Sequence, residues 1–286
     1  MMAVFGLVSS TSPPLPPGFL QAYVWQSTDP LFGGFSAIEL GQDGSSFSML
    51  SDRGAFTSGR LIRNVAGQII AVTADPIKKL LGPDDQLLRN FRRDTEGLAM
   101  LPDGQAYVSF EGGARVAYYK TLAGRGIVLD RPKPFEGFRP NSGLEALAID
   151  AEGTLYTLPE RSADATAPFP VFRYKNGVWD QPFNLPRRGQ FLAVGADIGP
   201  DGRFYLLERE FHGLSGFSSR VRRFTFGPDG LSHEETLLES VTGQHDNLEG
   251  LSVWRDHQGH LRLTMVSDDN QRFLQRTEIV EYRVPD

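Results

Sequence analysis

Apolar and polar residues alternate along the chain in short runs broken by turn residues, the period of half-buried β-strands rather than of helices. The clearest unit is DTEGLAMLPDGQAYVSFE, Asp94 to Glu111. Leu98, Ala99 and Met100 run into a Pro-Asp-Gly turn, and Ala106, Tyr107, Val108 and Phe110 return from it. Asp-Gly supplies the positive φ that a tight hairpin turn needs. The pattern recurs as FGGFSAIELGQDGSSFSMLSDRG at 32–54, GLEALAIDAEGTLYTLPE at 143–160, LAVGADIGPDGRFYLLERE at 192–210 and NLEGLSVWRDHQGHLRLTMVSDDN at 247–270. The turn glycines, Gly44, Gly104, Gly153, Gly202 and Gly259, recur at intervals of about 50–60 residues, the range of propeller blades.

Between hairpins there is room for two further strands. GRLIRN and QIIAVTAD follow the first, and RVAYYK and GIVLD the second. FRYK and VWDQPF flank an Asn-Gly turn, and RVRRFTF leads into Pro-Asp-Gly at 228–230. The prediction is an all-β fold, a single β-propeller of four-stranded antiparallel blades. After Gly259 only two strands are evident, whereas FLQAYVWQ precedes the first hairpin, so this N-terminal strand is expected to complete the last blade. The repeats favour five blades, and the long interval from Gly259 through the termini to Gly44 leaves room for a sixth. Residues 1–18 read as a leader and Pro-rich linker, and 19–286 as the propeller domain. The longest irregular insertion, IKKLLGPDDQLLRNFRRD at 77–94, has room for one short helix.

Composition changes this picture little. A 286-residue chain with 40% hydrophobic and 22% charged residues is an ordinary soluble protein with a large core. A net charge of −6 argues against nucleic acid as partner. No cysteine is present, which removes disulfides and thiolate chemistry. No run approaches the ~18 apolar residues needed to cross a bilayer. MMAVFGLVSSTS has an apolar stretch with no Lys or Arg before it, an incomplete secretory leader. A closed ring leaves few free strand edges, so a monomer is expected.

Charge placement carries the chemistry. The second strands of the hairpins end on Asp52, Glu111, Glu160, Glu208 and Asp268, and the first strands begin with Glu96, Glu145 and Glu249. Gly33 and Val194 take the matching places in the other two repeats, and Asp197 lies three residues deeper than Val194. If first strands line the channel, these carboxylates converge on one rim and raise one another's pKa. A hard divalent cation removes that conflict, and an oxygen-only donor set suits Ca²⁺, or Mg²⁺, over zinc. Asn141, His245, Asn247 and Asn270 are candidates to complete the shell. Strand-end acids also serve blades simply by accepting loop amides. Arg53, Arg161 and Arg209 each follow a strand-end acid, as an anion clamp or as salt bridges between blades. Among the histidines, His245 in GQHDNLEG is the candidate acid or base. GLSGF around Ser215 is no nucleophile elbow, and HExxH, GxxxxGK[ST] and GxGxxG are absent.

EGLAMLPDG with VSFE, SGLEALAID with YTLPERS, VGADIGPDG with YLLERE, and HDNLEGLSVW with LTMVSDDN together resemble the bacterial esterase-like phytase-domain proteins, from about Phe32 onward, and SDRG fits as well. The resemblance implies a β-propeller rich in Asp and Glu serving phosphoester chemistry, and export to the periplasm or medium. The site residues carried over are Glu96, Glu111, Glu145, Glu160, Glu208, Glu249 and Asp268, with Asp52 and Arg53. The leading expectation is a metal-dependent phosphoester hydrolase acting on a small anionic monoester or diester. Arg53 and Arg161 would neutralise charge, with Asp52 or His245 handling protons. The alternatives are a Ca²⁺-dependent lactonase-like carboxylic esterase and a non-catalytic binding or scaffold propeller with a structural metal.

Overall fold

Each of the repeat glycines has the left-handed backbone its turn requires, with φ of 60° at Gly44, 88° at Gly104, 82° at Gly153, 72° at Gly202 and 87° at Gly259. The structure, a computed structural model, describes residues 15–138, 143–228, 230–270, 272 and 275–285. Most of the leader, Asn141 and Asp229 of the turn at 228–230 lie outside the described residues.

After β1 (Phe19–Val24), the first blade is β2 (Phe35–Leu40), β3 (Ser46–Ser51), β4 (Ala55–Arg63) and β5 (Ile69–Ala74), with β6 (Lys78–Lys79) beside β4. The second is β7 (Thr95–Met100), β8 (Ala106–Phe110), β9 (Arg115–Tyr119) and β10 (Gly126–Val128). The third is β11 (Leu144–Ile149), β12 (Leu155–Pro159), β13 (Phe169–Lys175) and β14 (Val178–Leu185). The fourth is β15 (Leu192–Ile198), β16 (Phe204–Phe211), β17 (Phe217–Gly227) and β18 (Gly230–Glu239). In the fifth, β19 (Asn247–Arg255), β20 (Leu261–Asp268) and β21 (Glu278–Arg283) are completed by β1, with Ala22 opposite Val280. The ring therefore has five blades, no sixth, and is closed by the N-terminal strand as expected. The 77–94 insertion forms a single 3₁₀ turn, Asn90–Arg93, and α1 is only Lys133–Glu136.

The inner strands pack in order around the axis, β2 on β7, β7 on β11, β11 on β15, β15 on β19, and β19 back on β2. The apolar core lies between blades. One cluster joins Val194, Leu207 and Val221 of the fourth blade to Leu251, Met265 and Tyr282 of the fifth. Another joins Phe35, Met49 and Leu61 of the first to Val266 and Ile279 of the fifth.

Every inner strand slips register at the same place: between Phe35 and Ala37, Thr95 and Leu98, Leu144 and Ala146, Ala193 and Gly195, and Leu248 and Gly250. Such a bulge inserts a residue and re-aims its side chain. The inserted residues are Ser36, Glu96 with Gly97, Glu145, Val194 and Glu249. The residue after Ser36, Glu96, Glu145, Val194 and Glu249 is Gly or Ala in every blade, and at the three glycines a neighbouring inner strand passes close by. A Cβ on Gly195 would lie 2.4 Å from the Glu249 carbonyl oxygen, and one on Gly97 2.6 Å from that of Glu145. A Cβ on Gly250 would lie 2.8 Å from the Ala37 Cα.

Candidate functional site

The bulges place Glu96, Glu145 and Glu249 at one end of the axial channel. Ser36, not Gly33, is their counterpart in the first blade; Gly33 instead closes over Asp269, whose carboxylate oxygen a Cβ would approach to 2.6 Å. Val194 holds the fourth place as expected. Around these sits a second tier at the ends of the second strands. Asp52 N–H donates to Gly34 (2.8 Å), Glu111 N–H to Asp94 (3.0 Å) and Glu160 N–H to Gly143 (3.4 Å), and Asp268 pairs with Asn247. The fourth blade pairs Leu192 with Arg209, so the residue in phase there is Arg209 rather than Glu208.

Glu208 faces the other way. Its carboxylate is fully buried, taking Arg222 Nη2 at 2.6 Å, Arg222 Nε at 2.7 Å and Arg220 Nε at 2.9 Å, and Arg222 also reaches Glu234 at 2.9 Å. The reason is strand alternation: neighbouring residues point to opposite faces, and the register differs by one from the sequence-based alignment. Glu208 is thus corrected from a ligand at the mouth to the centre of a buried arginine network.

Arg209 lies among the acids instead. Its Nη1 is 2.7 Å from Glu249 and also bonds Asn247 Oδ1, and its Nη2 is 3.4 Å from Glu160. It therefore bridges acids of the third and fifth blades across the fourth. Asn247 is buried and donates to Glu249 (2.8 Å), and Asn270 N–H donates to Asp268 (2.7 Å). Arg161 lies on the rim beside Glu160 at 2.9 Å with a side chain 53% exposed, and Arg53 lies 3.8 Å from Asp52, 44% exposed.

His245 is not brought among the acids. It is buried, bonds the Tyr282 hydroxyl through Nε2 at 2.6 Å and stacks on Phe19. Burial alone pushes its pKa down to about 4, so it is neutral near pH 7 and remote from proton transfer at the mouth. Asp197 is likewise elsewhere, accepting the Val253 N–H at 2.6 Å and the Ile198 N–H at 2.7 Å further along the channel.

The mouth acids feel one another. Burial, then Glu145 and Glu249, raises Glu96 well above the usual carboxylate range. Burial, then Glu160, Glu111 and Glu249, does the same to Glu145. Glu249 is pushed up to about 8 by burial, against the pull of Arg209. Asp52 rises to about 7 through burial and then Asp268, and Glu111 to about 7 through burial and then Asp94 and Glu160. Asp94, the residue just before β7, was missed by sequence reasoning; it ends the 3₁₀ turn outside the strand, where no alternation marks it, and its carboxyl bonds that of Glu111.

These residues fit a hard cation. Asp94, Glu96 and Glu111 each offer an oxygen within 4.8 Å of the others, a grouping able to hold a metal ion. Asp52 Oδ1 is buried without a hydrogen-bond partner, and Gly34 approaches it so closely that a Cβ would lie 2.4 Å away. All donors are oxygens, the set Ca²⁺ and Mg²⁺ prefer. A hollow of about 1350 Å³ lies elsewhere, at the turn end of the channel, lined among others by Glu39, Met100, Asp197 and Trp254. The acid mouth remains the candidate because eight carboxylates converge there, whereas the hollow is lined by four, Glu39, Asp43, Asp75 and Asp197, of which Asp43 is paired with Arg60.

Fold and site together define a five-bladed propeller with an acid-lined axial mouth. The chain belongs to the family described as phytase-like, esterase-like activity of phytase, whose model matches residues 30–271. No curated protein matches. Among solved structures, the chain is similar to the aldose sugar dehydrogenase of Streptomyces coelicolor in its PQQ-bound form, at 11% identity and a TM-score of 0.47 over 94% of this chain and 100% of that one. It is also similar to an alpha-L-arabinofuranosidase of Podospora anserina, at 12% and 0.46 over 94% and 96% of the two chains. A catalytically inactive virginiamycin B lyase of Staphylococcus aureus matches at 13% and 0.43 over 93% and 74%.

Proposed function

We propose that the chain is a divalent-cation-dependent phosphoester hydrolase working at the acid mouth. The observation that carries this reading is the convergence of Asp52, Asp94, Glu96, Glu111, Glu145, Glu160, Glu249 and Asp268 on one mouth, where Arg209 offsets Glu145, Glu160, Glu249 and Asp268. Asp94, Glu96 and Glu111 would hold the ion. When bound, a divalent cation supplies positive charge to a phosphoryl oxygen and a water of lowered pKa. Arg53 and Arg161, both half exposed at the rim, would take the remaining phosphate oxygens, since their forks match that geometry. Arg209 orients Glu249 and Glu160. Asp52 is poised near neutrality, at about 7, and would accept the proton of the attacking water.

The test is hydrolysis of bis- and mono-nitrophenyl phosphate with Ca²⁺ or Mg²⁺ and with chelator. Turnover is expected to depend on the cation and to fall in acid as Asp52 takes up its proton, at a pH below the cation-free value of about 7. Asp52→Asn is expected to lower kcat by about a hundredfold or more. A cation that raises the melting temperature while no phosphoester turns over would make the ion structural and overturn the reading.

A further inference from the structure

The arginines of this acidic chain are mostly paired, as in Arg63 with Glu281, Arg173 with Asp180 and Arg262 with Asp256. The outer flank of the second blade is different. A cavity of about 810 Å³ lies there between the 82–92 segment and β8–β10, lined by Arg89, Arg92, Arg115 and Arg131 and by a single carboxylate, Asp84. Among the described residues none of these arginines has a carboxylate within salt-bridge distance. Arg115 is fixed by its own fold: its Nη1 donates to Gly112 O at 2.5 Å, its Nη2 to Arg92 O, and its plane covers Phe110 at 3.8 Å. Arg131 donates to Ala114 O at 2.9 Å and Phe135 O at 3.0 Å.

We infer that this flank cavity is a binding site for a small organic oxyanion, a phosphate or carboxylate carried on an apolar body. Four arginines gathered around one lining carboxylate repel one another, and an anion is what relieves them. Arg115 is held down at about 10 by burial, with Arg92 and Arg131 lowering it further against the opposing pull of Tyr119 and Asp94. Planar guanidinium forks suit the two-oxygen faces of phosphate and carboxylate. The apolar half of the ligand is called for by the walls, where Leu87 and Val128 stand 48% and 42% exposed beside the arginines. The volume falls in the range of small-molecule sites, roughly 300–1,000 Å³. The cavity lies against the outer strands of the second blade and shares no lining residue with the acids of the mouth, although Arg115 feels the charge of Asp94 there.

The experiment is calorimetric titration of the full chain with phenyl phosphate and with inorganic phosphate, each with Ca²⁺ and with chelator. In chelator above about pH 8 the mouth acids lose their protons and repel anions, so binding that survives chelation at that pH reports the flank. Phenyl phosphate is expected to bind with and without Ca²⁺, and more tightly than inorganic phosphate. The double variant Arg89→Gln with Arg92→Gln is expected to weaken it about tenfold or more. Neither side chain has a hydrogen-bond or ion-pair partner among the described residues, so an unchanged melting temperature confirms that the variant is folded. Binding that vanishes in chelator, binding unchanged in the folded double variant, or no binding at millimolar phenyl phosphate would each overturn the assignment.

Discussion

Glu208 and Arg209 are adjacent in the chain and lie in opposite surroundings, one sealed among Arg220 and Arg222, the other among the acids of the mouth. The acid looks like a ligand in the string LLERE because it ends an apolar run as Glu111 and Glu160 do. Only the pairing of Ala193 with Glu208 and Leu192 with Arg209 shows which residue is in phase. A one-residue slip exchanges the faces of a strand, so a site argued from strand ends is legible in residue type before it is legible in register. The same distinction separates His245, an attractive acid–base residue in sequence, from the neutral ring packed on Phe19 and Tyr282. Glu208→Ala is expected to destabilise the fold by about 3 kcal/mol, because it strips two buried guanidinium groups of their shared buried carboxylate and leaves them only the more exposed Glu234 and Glu239. Cation affinity should be unchanged in that variant. Denaturant unfolding and Ca²⁺ titration of the same protein check both halves.

At the scale of elements, the hairpins were readable because each combines a run of alternating residues with a turn glycine whose positive φ no other residue adopts as easily. The bulge was not readable. Nothing in the alternation of FSAIEL or LEALAI announces an inserted residue, yet the bulge aims Glu96, Glu145 and Glu249 at the axis and moves the first-blade counterpart from Gly33 to Ser36. Its companion, the small residue that follows, is the part sequence did display, in the EG, EA and EG pairs at 96–97, 145–146 and 249–250. Gly250→Ala places a Cβ 2.8 Å from both the Ala37 Cα and the Ile38 N, backbone that cannot swing aside. The expected cost is about 1–3 kcal/mol, as for other overpacked positions. Cation affinity should fall with it, since the change forces the fifth and first inner strands apart beside Glu249. Thermal melts with and without Ca²⁺ measure both.

For the whole molecule, ring closure concentrates negative charge. Five inner strands share one axis, so acids that recur at one phase meet at one opening, and burial raises the affinity of each for its proton. In the unfolded chain these carboxyls lose their protons near pH 4, whereas the folded protein without a cation holds Asp52 and Glu111 to about 7 and Glu249 to about 8. Between those limits the folded state binds more protons than the unfolded one. Stability is therefore full in acid and falls as pH rises through the folded values. A divalent cation replaces the protons and removes the loss. The direct measurement is the unfolding midpoint at pH 5 and pH 8, in chelator and in excess Ca²⁺, for the natural sequence and for the double variant Glu145→Gln with Glu249→Gln. The account predicts that the midpoint in chelator drops from pH 5 to pH 8, that Ca²⁺ restores it at pH 8 and changes it little at pH 5, and that the double variant flattens the drop. An equal drop with and without Ca²⁺, or one that persists undiminished in the double variant, would contradict it.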